Sequence, residues 1–197
     1  MGKIITRKNG SKKDVITQAA KALFRKKGFS ATSMRDIAES IGVEAPSLYN
    51  HIQSKNEILK DICFRIGKLF TDYLREIEFS GKSNLDKIES IIRFHISMMI
   101  DEFESVYISD HEWKHLPEPH LSDFKNQRRN YRLRLAAILK KGIDSKEINV
   151  IDPNVAVLTI LSALSGIEGW QSSGKKIDAK LLEKNMTKLL IEGLRNK

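Results

Sequence analysis

The chain has 197 residues, of which 41% are hydrophobic and 30% charged, and its formal net charge is +9. These values are typical of a soluble globular protein with one medium or two small domains. A single cysteine, Cys63, excludes an intramolecular disulfide and fits a reducing compartment. The most apolar run, 155–167, is too short to span a bilayer, and no apolar segment follows the N-terminal lysines. We therefore expect a cytoplasmic protein without a signal peptide or a membrane partner.

The positive charge is concentrated at the N-terminus. Residues 1–60 contain 12 basic and 5 acidic side chains, whereas residues 61–197 contain 22 and 20. A basic surface neutralises phosphates and attracts DNA. A charged face that only keeps the protein soluble is the alternative.

A helix is predicted to begin at Ser33. Ser33 and Asp36 have the spacing of a capping box, in which each side chain bonds the other residue's backbone amide. Gly42 supplies the left-handed conformation that commonly ends a helix. Apolar residues recur between them at helical spacing, namely Met34, Ile37, Ala38 and Ile41.

A second short helix is predicted over residues 46–51, with Pro46 in its first turn, where a missing amide hydrogen costs nothing. Ser54 and Glu57 form another capping-box pattern, which opens a third and longer helix. Two short helices about a tight turn are typical of a DNA-binding helix-turn-helix.

A longer pattern surrounds this motif: Ile16, Ala19, Ala20, Phe24, Gly28, Thr32 to Ala38, Gly42, Val43, Ser47 to Tyr49, Ser54, Lys55, Ile58 and Leu59. In this order and spacing, it resembles the N-terminal domain of the TetR family of bacterial transcriptional regulators. Two features depart from the family pattern. Glu44 and Pro46 stand where the family usually has serine and glycine. His51 and Ile52 stand where the family more commonly has an aromatic residue followed by phenylalanine. These changes preserve the fold but leave the base preference open.

The resemblance implies which side chains meet DNA. Tyr49 and Lys55 would bind phosphate, whereas Ser47, Asn50 and His51 would lie nearest the base edges. Lys12 and Lys13 are expected as flexible phosphate contacts. The complete predicted DNA surface comprises Lys12, Lys13, Ser33, Arg35, Ser47, Tyr49, Asn50, His51 and Lys55.

The rest of the chain is predicted to be a series of amphipathic helices without strands. The third helix ends at a break over 80–83, and later helices are expected over 85–103, from 106 to before 116, over 120–141, 155–172 and 178–195. Gly142 is expected to stop one of them, and Asp152 with Pro153 to start the next. The fold class is therefore all-α, with about nine helices. Residues 1–60 form the predicted DNA-binding domain, and residues 61–197 form a ligand-binding and dimerisation domain.

Residues His111, Glu112 and His115 match the H-E-x-x-H signature of zinc metalloproteases. Two imidazoles four residues apart on a helix can bind one metal ion, and the glutamate can act as a base. Pro117 and Pro119 interrupt the helix immediately afterwards. Two surface histidines are therefore the favoured interpretation. A metal-dependent hydrolase and a metal-responsive regulator that uses His111 and His115 remain alternatives.

Aromatic and sulfur-containing residues gather in the middle of the chain, where they are either core or the wall of a ligand pocket. The TetR resemblance places the inducer in this region. An arginine-rich segment, 128–134, can pair with an anionic group, and residues 128–174 are similar to acyl-thioester-responsive family members. The candidate ligand residues are Phe94, His95, Met98, Met99, Phe103, Tyr107, Trp113, Arg128, Tyr131 and Trp170. An acyl thioester of coenzyme A is the expected ligand, with a free fatty or aromatic acid as the alternative.

Small and apolar residues near the C-terminus suit either internal packing or a dimer interface, and the resemblance favours a four-helix interface shared by two subunits. The predicted interface residues are Ala156, Ala163, Gly166, Leu182, Met186 and Leu190. The sequence thus predicts a homodimeric, ligand-responsive repressor of a palindromic operator. It is expected to have no catalytic activity and no cofactor. A non-specific DNA-packaging protein is a further alternative, which the ratio of operator to random-DNA affinity distinguishes.

Overall fold

The computed structural model describes residues 11–173 and 178–196. Regular structure in these ranges is helical, apart from one isolated bridge between Ile148 and Arg195, which confirms the predicted all-α class. A single 3-10 turn, Trp113–His115, lies between α6 and α7. The α-helices are α1 (Lys12–Lys27), α2 (Met34–Ser40), α3 (Ala45–Tyr49), α4 (Lys55–Glu78), α5 (Asn84–Asp101), α6 (Phe103–His111), α7 (His120–Asp144), α8 (Pro153–Ser165), α9 (Ile167–Ser172) and α10 (Ala179–Leu194).

Side-chain caps explain why several helices begin where they do. Ser33 and Asp36 form the predicted capping box of α2. Asp152 accepts hydrogen bonds from the first free amides of α8, ahead of a proline in its first turn. Half of the predicted box is present at α4: the Glu57 amide donates to Ser54 Oγ at 3.2 Å, but the Glu57 carboxylate accepts from the Gln53 amide instead.

One predicted helix end was wrong, and one predicted helix contains a break that the sequence analysis did not place. Helix α7 continues through Gly142 to Asp144. A Cβ atom at Gly142 would lie 2.5 Å from Ile148 Cδ1 and 3.2 Å from Asn84 Cβ, so this glycine permits close packing and does not stop the helix. The helix predicted over 155–172 is two helices, α8 and α9, which adjoin at Gly166.

The chain divides into two compact units. Unit 1 comprises residues 1–66 and 104–124, and unit 2 comprises residues 67–103 and 125–197. The predicted domain boundary at residue 60 thus lies close to the end of the first segment of unit 1, but it leaves out residues 104–124. Ile108, Leu116 and Phe124 from that second segment belong to the same buried core as Phe24 and Ile37 of α1 and α2.

A buried polar cluster joins three helices of unit 1. The Ser105 hydroxyl in α6 accepts hydrogen bonds from Lys21 Nζ of α1 at 3.2 Å and from Arg65 Nη2 of α4 at 3.1 Å. Lys21 is only 7% exposed. Because a buried ammonium needs polar partners, Ser105 helps to fix α1 and α4 against α6.

Unit 2 is organised around α5, which packs against α8, α9 and α10. The Glu147 carboxylate binds the start of α5, where it accepts from the Asn84 side chain at 2.9 Å and from the Leu85 amide at 3.1 Å. Hydrogen bonds from Ser145, Leu85 and Asn84 lower the pKa of Glu147 to about 2. The carboxylate therefore ties the loop after α7 to α5.

Candidate DNA-binding surface, ligand region and dimer face

Buried side chains fix the two short helices of the helix-turn-helix. Ile37, Ala38 and Leu48 are each at most 1% exposed, so α2 and α3 are held against the core of unit 1. Gly42 has a φ of +73°, and the Val43 amide donates to the Ala38 carbonyl at 3.0 Å. This closed turn sets the direction of α3.

Helix α3 tolerates the two departures from the family pattern. Glu44 precedes α3 without making a side-chain cap, and Pro46 lies in the first turn. Ile52, where the family usually has phenylalanine, is buried in the core of unit 1. The substituted positions therefore preserve the local fold, as expected.

The side chains of α3 and the following turn that were predicted to meet DNA point outward. Ser47, Asn50 and His51 are exposed, and Tyr49 is 53% exposed. Tyr49 lies between two grooves of unit 1. One, of about 510 Å³, is also lined by Ser33, Arg35 and Lys55. The other, of about 540 Å³, is also lined by Asn50 and His51.

Three of the predicted contacts on α1 and at α2 have local partners, namely Lys13, Ser33 and Arg35. Lys13 Nζ lies 3.3 Å from Glu57 Oε1 and 3.0 Å from Asp61 Oδ2, and these carboxylates raise the pKa of Lys13. Lys12 is exposed, and Arg35 is exposed beside Glu39. The hydroxyl of Ser33 is already used in the cap of α2. Lys13 would have to exchange its carboxylate partners for phosphate.

Lys55 has a structural role that the sequence did not indicate. Its ammonium donates to the carbonyls of Phe29, Ser30 and Thr32 at 2.9, 3.3 and 2.8 Å. The same group lies 4.4 Å from the centroid of the Phe29 ring. Lys55 thus holds the segment between α1 and α2, and its role as a phosphate contact remains a prediction.

Several residues beside the proposed DNA surface were not predicted from the sequence. Gln53, Lys60 and His120 line the groove that contains Asn50 and His51. Lys60 could have been found, since it is a basic residue in the helix that opens directly after the motif. His120 had no such signal, because it is distant from the motif in sequence.

The core of the candidate ligand region lies in unit 2, on α4, α5 and α7. His95 Nε2 and the Tyr131 hydroxyl are hydrogen-bonded at 2.7 Å. The Phe70 ring stacks on His95 with centroids 4.4 Å apart, and the rings of Tyr73 and Phe94 stack at 4.0 Å. Burial lowers the pKa of His95 to about 4, so the imidazole is neutral at neutral pH. Burial also raises the pKa of Tyr131.

The predicted ligand residues do not all lie in the same unit of the structure. Met98 and Met99 are buried in α5, one helical turn after Phe94 and His95. Tyr107 and Trp113 instead pack on the core of unit 1, so they are not grouped with that cluster. Trp170 in α9 is 55% exposed, and Phe103 starts α6.

The arginines of the segment 128–134 differ in their exposure and partners. Arg134 forms an ion pair with Glu78, whereas Arg129 and Arg132 are exposed. Arg128 is partly buried on α7, one turn before Tyr131. Arg134 also lies close enough to Tyr131 to influence its pKa, but it is paired with Glu78, so Arg128 stays the predicted ligand contact of this segment.

The H-E-x-x-H residues do not form a metal site. Helix α6 ends at His111, and a separate 3-10 turn contains His115. The His111 ring contacts Tyr107, and the His115 ring stacks on Phe29 with centroids 5.4 Å apart. In the described ranges, no group of three His, Cys, Asp or Glu residues is arranged to hold a metal ion. The break in the helix removes the spacing on which the metal hypothesis depended.

Helices α8 to α10 carry exposed apolar side chains. Val155 and Leu158 of α8 are 58% and 67% exposed, and Leu181 and Leu189 of α10 are 55% and 73% exposed. We call these four residues the α8/α10 apolar set. Small exposed residues accompany it on α8, on α9 and at the junction between them, namely Ser162, Ser165, Gly166 and Gly169.

The predicted interface residues divide between this surface and the interior. Ala156 is 3% exposed and faces the core of unit 2, so its place in the predicted interface is not supported by its position. Gly166 is exposed. The remaining predicted residues are partly buried, namely Ala163, Leu182, Met186 and Leu190.

Two family models match the chain. The model described as "Bacterial regulatory proteins, tetR family" matches residues 16–62. The model described as "Tetracyclin repressor-like, C-terminal domain" matches residues 81–194, more than half of the chain. The protein belongs to the TetR family.

Relatives of this TetR-family chain are repressors. It is 26% identical to the HTH-type transcriptional repressor KstR2 of Rhodococcus jostii, over 95% of this chain and 92% of that protein. It is 28% identical to IcaR of Staphylococcus aureus, the negative regulator of the icaADBC biofilm operon, over 80% of this chain and 81% of IcaR.

Solved structures show the same fold. KstR2 of Mycobacterium tuberculosis, described as a ketosteroid transcriptional regulator, superposes with a TM-score of 0.88 at 20% identity, covering 98% of this chain and all of that one. AibR in complex with isovaleryl coenzyme A and operator DNA superposes with a TM-score of 0.79 at 21% identity, covering 92% of this chain and 98% of that one.

Membership of the TetR family confirms the prediction of a ligand-responsive, DNA-binding repressor that is not an enzyme. The metal-dependent hydrolase and the metal-responsive regulator gain no support from these comparisons. Within the described part of the chain, no helix of this TetR-family protein has the length and apolar character needed to cross a membrane.

Proposed function

We propose that this TetR-family protein binds a palindromic operator as a homodimer and is released from it by an acyl thioester of coenzyme A. The observation that carries the DNA-binding part is the outward face of α3 and its following turn. Ser47, Asn50 and His51 are exposed there, while Leu48 anchors the helix. As a DNA-binding regulator, the protein would act in the cytoplasm.

Phosphate and base contacts can be separated experimentally. Tyr49 lies between the two grooves, a position that suits a phosphate contact, whereas Asn50 and His51 are placed to reach base edges. Tyr49→Phe should weaken binding similarly on every sequence, and Asn50→Ala should change the sequence preference. The assay is quantitative binding to DNA upstream of the protein's own gene, to single-base variants of the protected site and to random DNA, at several salt concentrations. Equal affinity for the upstream and random DNA would contradict an operator-specific regulator.

A homodimer is proposed because the α8/α10 apolar set leaves four large aliphatic side chains exposed in one chain. Two such surfaces related by a two-fold axis would cover one another, and a symmetric dimer presents two heads to a palindrome. The small residues Ser162, Ser165 and Gly169 would allow the helices to approach closely.

The ligand proposal rests on the aromatic side chains around His95 and Tyr131, the buried methionines one turn later on α5, and Arg128 one turn before Tyr131 on α7. An apolar chain would contact the rings, and the guanidinium would bind an anionic group of the ligand. The structural neighbour AibR, which was solved with isovaleryl coenzyme A and operator DNA, supports this ligand class.

The ligand proposal is tested by titrating the protein–operator complex with acyl-coenzyme A of several chain lengths. The ligand must bind the free form more tightly than the DNA-bound form, so DNA must weaken ligand binding by the same factor. Arg128→Ala should blunt release, whereas Arg129→Ala, at an exposed position on the same helix, should not. Release by free fatty acids but by no thioester would replace the proposed ligand with the alternative.

A further inference from the structure

Two buried polar atoms of unit 2 accept no hydrogen bond within the described part of the chain, Gln127 Oε1 and Thr187 Oγ1, and Gln127 is the one that lies close to Tyr131 in sequence. Gln127 Oε1 has less than 1 Å² of accessible surface and accepts no hydrogen bond from the described part of the chain. Leaving a buried acceptor without a donor destabilises a fold, so such groups in native proteins call for an explanation.

The structure makes room for this carboxamide. A Cβ atom at Gly67 of α4 would lie 2.4 Å from Gln127 Oε1 and 2.8 Å from Gln127 Cδ. The glycine therefore lets the Gln127 side chain lie directly against the helix backbone. Any larger residue at position 67 would displace the carboxamide.

Gln127 lies beside the proposed ligand region. Tyr131 follows it by one turn on α7, and Phe70 follows Gly67 by one turn on α4. The rings of Phe70 and Tyr131 are 6.2 Å apart, and Tyr131 is hydrogen-bonded to His95. His95 and Tyr131 are thus hydrogen-bonded to each other, whereas Gln127 Oε1, one turn earlier on α7, accepts no hydrogen bond within the described part of the chain.

We propose that Gln127 Oε1 accepts a hydrogen bond from an O–H or N–H donor of the bound ligand, and that Gly67 holds it in position to do so. This inference rests on the proposed ligand site. Two parts of an acyl-coenzyme A can supply such a donor: a hydroxyl on the acyl chain or an amide of the coenzyme A arm. The position of Gln127 next to Arg128 favours a donor near the anionic end of the ligand over one at the far end of the chain.

The test compares octanoyl-coenzyme A with 3-hydroxyoctanoyl-coenzyme A by calorimetry on the full-length wild-type protein, Gln127→Met and Gly67→Ala. Methionine keeps the shape of glutamine but removes the acceptor. Asn130→Leu, at an exposed position on the same helix, is the matched control. Both test variants should bind more weakly, with the dissociation constant raised about tenfold for the loss of one hydrogen bond, and the control should bind as the wild type does.

The two ligands identify the source of the donor. A loss confined to the hydroxylated thioester assigns the donor to the acyl hydroxyl, and an equal loss for both assigns it to a coenzyme A amide. Wild-type affinity of Gln127→Met for both ligands would overturn the inference, because the carboxamide would then only hold water, while leaving the acyl-coenzyme A proposal intact. Failure of the wild-type protein to bind these thioesters and those of the other chain lengths would instead overturn that ligand proposal.

The unfolding temperature of the free protein tests the role of Gln127 without any ligand. If the acceptor lacks a partner in the free protein, Gln127→Met should unfold at the wild-type temperature or about 2–4 °C higher. A lower unfolding temperature would show that the carboxamide stabilises the fold, and would overturn the inference whatever the ligand.

Discussion

Removing one leucine from the α8/α10 apolar set should dissociate the proposed dimer. Leu189 is 73% exposed in the single chain, so little of its side chain contributes to folding. Leu189→Ala removes three carbon atoms, each worth about 0.8 kcal/mol when fully transferred from water. Scaled by the exposed fraction, the loss is about 1.5–2 kcal/mol for each subunit.

A symmetric interface contains the substitution twice, so the dimer should lose about 3–4 kcal/mol. This corresponds to a rise of about two to three orders of magnitude in the dimer dissociation constant. Operator affinity should fall with it, because two linked heads bind a palindrome more tightly than one. The unfolding temperature of the monomeric form should change little.

The measurement is sedimentation equilibrium across nanomolar to high micromolar concentrations, combined with operator binding. The matched control is Leu133→Ala on α7, since Leu133 is 52% exposed and lies outside the set. A wild-type protein that is monomeric at micromolar concentration would refute the reasoning. So would a larger effect from Leu133→Ala than from Leu189→Ala.

Three further substitutions test stability. Lys55→Met removes hydrogen bonds to three carbonyls, so the melting temperature should fall by several degrees, on the order of 2–4 °C per kcal/mol; an unchanged melting curve would show that these bonds are not made in solution. Glu147→Gln should cost about 1–2 kcal/mol at pH 7. Because the folded-state pKa of Glu147 is lowered from 4.5 to about 2, this stabilisation is present above pH 4.5 and is lost as the pH falls towards 2. Urea unfolding of both proteins at pH 7 and pH 3 should show the difference shrinking, and an equal difference at both values would contradict it. Gly142→Ala should cost about 1–3 kcal/mol through the collision with Ile148, whereas Gly81→Ala, with no atom within 4 Å, should be nearly neutral; equal unfolding free energies for the two variants would contradict the packing argument.

Features that depend on a few neighbouring residues could be predicted from the sequence. The capping box of Ser33 and Asp36 and the Asp152 cap are set by side chains within three positions of the backbone that they bind, and the left-handed Gly42 is permitted by its own lack of a side chain. The all-α class followed from the same local signals, because apolar spacing and caps recur along the whole chain.

Features that depend on packing between distant residues could not be predicted from the sequence. Gly142 has the sequence appearance of a helix stop, but Ile148 and Asn84 pack where its side chain would be. The motif predicts that Lys55 binds phosphate, and only the path of the segment between α1 and α2 shows that three carbonyls surround its ammonium. The free acceptor of Gln127 likewise becomes visible only when α4 and α7 are placed together.

The unit that contains the helix-turn-helix is not a continuous piece of sequence, since residues 104–124 complete the core begun by residues 1–66. Ile108, Leu116 and Phe124 would be missing from any fragment cut after α3 or early in α4. A chimera that transplants this operator preference onto another family member should therefore carry both segments. Exchange of residues 1–66 alone would create a mismatched core. Transfer of the DNA-binding unit therefore also requires residues 104–124, which are distant from the helix-turn-helix in sequence.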